Sequence, residues 1–178
     1  LVVIGLALSA ALAIKLPGLF GLELLGAGAE FYIRNLALFV LPPLASYFAW
    51  KRDSIDACIR WLVPSFAIAA VFANIYPFRP FASTEILTAL HLPIVLWLAV
   101  GFAYVGGQWR STSRRMDFVR FSGELFIYYV LIALGGVVLT TATLLMFSVI
   151  GLDLEWIATS WLLPCGAVGA VIIGSWLV

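Results

Sequence analysis

Charge is scarce in this sequence. Only 11 % of its 178 residues are charged, against roughly 25 % in a soluble domain. A chain so poor in charge cannot cover its surface with polar groups in water, so lipid must solvate it. The net charge of +1 excludes nucleic acid binding by bulk electrostatics. Histidine occurs once, as His91, which excludes a multi-histidine metal site. Cysteine occurs twice, as Cys58 and Cys165. Their places in the apolar pattern put them at different depths, so no disulfide is expected, and both read as small buried apolar groups. The phosphate-loop, dinucleotide, zinc-protease, dithiol and serine-hydrolase signatures are all missing. The chain calls for no cofactor and no metal, and it offers no catalytic set. No acid falls in the middle of an apolar run, so a proton- or sodium-coupled carrier would lack its coupling residue.

What is present is hydrophobic. Apolar residues make up 64 % of the chain, and the mean hydropathy is +1.12. The runs are helix-length, and neither strand alternation nor the girdled segments of a barrel occur. The reading is all-α: one integral membrane helical bundle over residues 1–178, with about six transmembrane helices. The expected spans are 1–14, 35–50, 61–75, 86–105, 125–150 and 157–178. The chain has no initial Met and begins within an apolar run. It is therefore read as a fragment of a longer protein, with no secretory leader.

Proline and glycine punctuate the runs. Pro17-Gly18 is expected to end the first helix. Residues 15–34 then read as an interfacial helix, a re-entrant segment or a loop, with the interfacial helix preferred. Pro42-Pro43 is expected to kink the second span, and Pro93 and Pro164 lie inside the fourth and sixth. Ser83 or Thr84 could cap the fourth span. Three acid–base pairs are four residues apart and suited to one helix face: Glu30 with Arg34, Asp56 with Arg60, and Arg120 with Glu124. Small residues recur every fourth position in the first span (Gly5, Ser9, Ala13) and in the last (Gly166, Ala170, Gly174), a pattern that suits close helix packing.

Orientation follows from the basic residues. Seven of them (Lys51, Arg52, Arg60, Arg110, Arg114, Arg115 and Arg120) fall on one side of the expected spans, and three (Lys15, Arg34 and Arg79) on the other. The positive-inside rule makes loops 51–60 and 106–124 cytoplasmic, and both chain ends face inward. Glu23, Glu30, Glu85, Asp153 and Glu155 are then outside. Arg110, Arg114, Arg115 and Arg120 sit where anionic headgroups of the bilayer would lie. They could also serve as a docking surface for a cytoplasmic domain or a phosphorylated ligand.

His91 is the most informative single residue, because an ionisable side chain inside a span is a functional hypothesis by default. Asn74 lies at similar depth on the preceding span, so an Asn74–His91 hydrogen bond is expected. With Arg79 and Glu85 nearby, these residues form a candidate ligand-binding set opening outward.

Two stretches, NLALFVLPPLASYFAWKR and ELFIYYVLIALGGVVLTTATLLMFSVIGL, resemble the bacterial inner-membrane family filed as domain of unknown function 4153. The resemblance implies a multi-pass bacterial membrane protein and brings no functional residues. The leading reading is a structural or partner-binding subunit of the inner membrane, packed with another membrane subunit or with the rest of its own chain. The alternatives are a transporter or permease-like domain with a pocket near His91, and a lipid-handling enzyme using His91 with Glu85.

Overall fold

The computed structural model describes residues 2–22, 24, 26, 28–79 and 82–178, with the side chains of Ala57 and Cys58 also left undescribed. The expectations for Glu23 and for the Cys58 thiol therefore lie outside the described residues. Helices α1 (Val2–Lys15), α2 (Ala29–Lys51), α3 (Ile55–Ile75), α4 (Ser83–Tyr104) and α5 (Thr112–Val149) come first. One turn of α6 (Glu155–Ile157), a π-helical stretch Ala158–Leu162 and α7 (Leu163–Leu177) then form a single rod. No strand occurs among the described residues. Among the described residues, four helical segments are long and apolar enough to cross a membrane: Val2–Phe20, Ser83–Tyr104, Thr112–Val149 and Glu155–Leu177.

The breaks have local causes. Leu16–Phe20 tightens into a 3-10 turn with Pro17 near its start, where a missing N–H costs nothing. Gly21 closes it at φ +81, a conformation that disfavours side chains. Residues 29–34 belong to the first turns of α2, and the largest regular element described between α1 and α2 is the five-residue 3-10 turn. The preferred interfacial helix is thus absent among the described residues. Leu19 and Phe20 instead stand bare, at 81 % and 82 % exposure. Helix α2 runs unbroken through Pro42-Pro43. The two prolines deprive the Leu38 and Phe39 carbonyls of their helical donors. The Ser46 hydroxyl donates to the Pro42 carbonyl at 2.9 Å.

The largest departure from the sequence reading is residues 106–124. After a turn at 106–111, residues 112–124 are not a loop. Gly106 and Gly107 turn the chain at positive φ, and Ser111 caps the Arg114 N–H at a long 3.5 Å. From Thr112 onward the chain is helical and continuous with the fifth span. The reason is a buried seam at helical spacing, Phe118, Phe121 and Leu125. Helix α3 likewise starts inside the charged stretch, at Ile55. The cap of α4 is Ala82, with no side-chain bond.

Helix α2 is the axis of the bundle. It packs against α1, α3, α4 and α7, and Leu44, Ala45, Tyr47 and Phe48 are almost wholly buried along it. Helix α1 lies along α7 through Ala10, Ile14, Val168 and Ile172. Helix α5 stands at the edge and leans mainly on α7. It reaches α2 and α4 through aromatic rings, Phe121 against Phe48 (5.1 Å between centroids) and Tyr104 (4.8 Å).

The small-residue stripes divide. Ala170 and Gly174 are buried, and a Cβ on Gly174 would lie 3.1 Å from Leu125 of α5. Gly166, Gly5 and Ser9 are exposed, and Ala13 is half-buried.

Candidate functional site

The bundle has a polar cluster at each end. At the end where α2 and α4 begin, the polar groups are consumed by one another. Glu85, 4 % exposed, faces Arg34 at 3.6 Å between Oε1 and Nε. The Arg34 guanidinium also lies over the Phe78 ring at 5.4 Å. Arg34 thus meets a carboxylate from another helix, whereas the sequence spacing pointed to Glu30. Beside this pair, Asn35 and Asn74 exchange amide hydrogen bonds in both directions, at 3.1 and 2.8 Å. Each Asn also donates to its own helix, to the Phe31 and Ala70 carbonyls. The cluster ties α2 to α3 and α4.

The four residues singled out as an outward ligand set do not converge. Glu85 and Asn74 belong to the cluster just described, while Arg79 is exposed. The expected Asn74–His91 bond does not form. The His91 Nδ1 lies 2.8 Å from the Leu87 carbonyl of its own helix. His91 sits on an exposed apolar face of α4, among Leu87, Leu90, Ile94 and Val95. Residues at similar depth need not share a face, and the two side chains differ in rotation about their helix axes. Arg34 and Asn35 were missed as partners. The signal available was two adjacent polar residues at the start of an apolar run. Among the described residues no three histidine, cysteine or acidic side chains gather to hold a metal.

The opposite end is open. A cavity of about 330 Å³ lies between the last turn of α2, the end of α4, the start of α5 and the end of α7. Its rim carries Lys51, Arg52, Arg114 and Arg120, with Asp117 and Glu124. Its wall is aromatic: Phe48, Tyr104 and Phe121. The positions on α5 fall at helical spacing on one face, so the amphipathic start of α5 builds the site. Arg120 and Glu124 pair at 2.8 Å, as their spacing predicts. Accepting that hydrogen bond, the Glu124 carboxylate raises the Arg120 guanidinium pKa further above its already high ordinary value. Arg52 lies over the Tyr104 ring at 5.0 Å and Lys51 over Tyr47 at 5.4 Å. Arg114 is half-buried.

The cavity exists because of how α5 meets the core. Long rings hold α5 off α2 and α4, and the gap left at the rim is lined by cations. Of the four arginines expected to meet headgroups, Arg114 and Arg120 line this cavity. Arg110 lies in a separate shallow groove with Trp109, and Arg115 bonds the Thr112 hydroxyl at 3.3 Å. Asp117 and Glu124 accompany the arginines in sequence, whereas Lys51 and Arg52 were not joined to them, because sequence spacing does not bring two distant helices together.

No family model matches the chain, and no curated protein or solved structure matches it significantly.

Proposed function

We propose that this chain is a six-pass domain of the bacterial inner membrane that acts as a non-enzymatic subunit, packing against a further transmembrane helix. In this reading both ends face the cytoplasm, α2 and α3 cross along with the four more apolar segments, and residues 51–60 and 106–124 lie at the cytoplasmic face. The basic-residue asymmetry supports that orientation. The resemblance to domain of unknown function 4153 supports a multi-pass bacterial membrane protein.

The observation that carries the reading is the bare far half of α5. No residue of α5 after Leu125 is buried, over about 36 Å of helix at 1.5 Å per residue. That half contains Gly135-Gly136, and a Cβ on either would meet nothing within 4 Å. Each glycine costs a helix about 1 kcal/mol relative to alanine, and no contact within this chain repays it. The contrast is Gly101, where a Cβ would lie 2.7 Å from the Phe118 ring. Glycines without an internal use suit the close approach of an external helix. The Arg34–Glu85 ion pair and the reciprocal Asn35–Asn74 bonds engage the polar groups at the outer end with one another, which argues against a transport pathway there.

The test is particle mass after mild extraction from native membranes. The wild-type chain should run as a complex larger than its own 19.4 kDa plus detergent. A Gly135→Leu, Gly136→Leu variant should run as the lone chain with undiminished thermal stability. Identical particle masses for the two proteins would sink the proposal.

A further inference from the structure

The cavity at the basic end is more than a charged rim. We propose that it is a binding site for a phosphate group, held by Lys51, Arg52 and Arg114 with Arg120 at its edge. The inference rests on the membrane reading above, which puts this end at the cytoplasmic headgroup layer.

Four features of the site carry it. The first is charge. Among the lining side chains, four cations face two carboxylates, an excess of two positive charges. Glu124 is committed to Arg120 at 2.8 Å, and no ion pair to Lys51, Arg52 or Arg114 occurs among the described residues. The second is preorganisation. Arg52 is held over Tyr104 at 5.0 Å and Lys51 over Tyr47 at 5.4 Å, so less side-chain freedom is lost when an anion arrives. Arginine in such a setting presents a rigid fork of donors matched to phosphate oxygens.

The third is volume. About 330 Å³ is at the lower bound of small-molecule sites and is ample for a phosphate with its ester substituents. The fourth is the aromatic wall. The half-buried Tyr104 ring, backed by the almost wholly buried Phe48 and Phe121, borders the cations with an apolar surface, which a bare surface patch of arginines would lack. Basic pockets between transmembrane helices at the cytoplasmic side are suited to anionic headgroups. The same chemistry would also accept a soluble phosphate compound.

The experiment uses the whole chain in nanodiscs, one set of phosphatidylcholine only and one with added phosphatidylglycerol. Retained lipid is read by native mass spectrometry and stability by thermal unfolding. Two variants remove the same charge: Arg52→Gln with Arg114→Gln in the cavity, and Arg110→Gln with Arg115→Gln outside it. A cation at a membrane surface is worth roughly fivefold in affinity for an anionic lipid, so the cavity variant should retain phosphatidylglycerol ~25-fold more weakly. The outer variant should retain it nearly as the wild type does, which assigns the phosphate to a lipid.

In phosphatidylcholine discs, inorganic phosphate or glycerol phosphate is added as the second arm. A stability rise there that the cavity variant loses, without retained lipid, assigns the site to a soluble ligand. Equal behaviour of the two variants in both arms overturns the proposal. Failure of the chain to enter nanodiscs at all would instead overturn the membrane reading beneath it.

Discussion

The Arg34–Glu85 pair offers the sharpest energetic test of the fold. Its atoms are 3.6 Å apart, and the side chains are 20 % and 5 % exposed. At an effective dielectric constant of 20, two unit charges at that distance attract by about 4–5 kcal/mol. Removing both from water consumes most of that gain. The pair should therefore contribute little net stability, while removing either member should be costly, because it strips the nearest opposite charge from a largely buried group. Arg34 retains some access to water, so each single change, Arg34→Met or Glu85→Leu, should cost about 2 kcal/mol rather than the 3–5 kcal/mol of a fully sealed pair. The double variant should cost about 1 kcal/mol, giving a coupling near 3 kcal/mol, the upper end for neighbouring residues. For a chain of this size 1 kcal/mol moves Tm by about 2–4 °C. Thermal unfolding in a mild detergent should thus show single variants down by about 4–8 °C and the double variant down by about 2–4 °C. If the double variant loses the sum of the two singles, the residues are not coupled and this account of the Arg34–Glu85 cluster is wrong.

Two further outcomes follow from the packing. Gly101→Ala would put a Cβ within 2.7 Å of the buried Phe118 ring and should destabilise by about 1–3 kcal/mol; an unchanged Tm in detergent would show that the ring moves freely. With Cys58 and Cys165 replaced, a cysteine at position 91 should resist a membrane-impermeant thiol reagent, while one at Ser83 labels from outside; rapid labelling at 91 would mean that water, not an apolar phase, covers that face of α4.

The sequence read well where one-dimensional pattern and three-dimensional environment coincide. Runs of apolar residues gave the helices, and Pro17-Gly18 gave the end of α1, because backbone chemistry acts locally. The i,i+4 pair Arg120–Glu124 was legible for the same reason. What failed was lateral. Charge density made residues 112–124 look like a loop, although Phe118, Phe121 and Leu125 repeat at helical spacing within them. The polar letters outnumbered the seam that decides the structure. Asn74 and His91 matched in depth but not in rotation about their helix axes. The basic cavity was illegible as a unit, since its cations come from segments about 60 residues apart, and only the tilt of α5 against α2 joins them. Arg34 shows the same limit: a neighbour in sequence, Glu30, lost to a neighbour in space, Glu85.

Helix α5 is one uninterrupted rod from Thr112 to Val149, without proline, and it bears on α7 where Leu125 meets Gly174. That bearing divides it unequally. Arg114 lies 11 residues to one side and Val149 24 to the other, which are lever arms of about 16 and 36 Å. Rotation about such a fulcrum moves the two ends in opposite directions and in that ratio. A sideways push of about 4 Å on the bare end would swing the arginine-bearing wall by about 2 Å. The rod geometry carries a push on its bare end, at roughly half the stroke, to the basic cavity at the other end of the bundle.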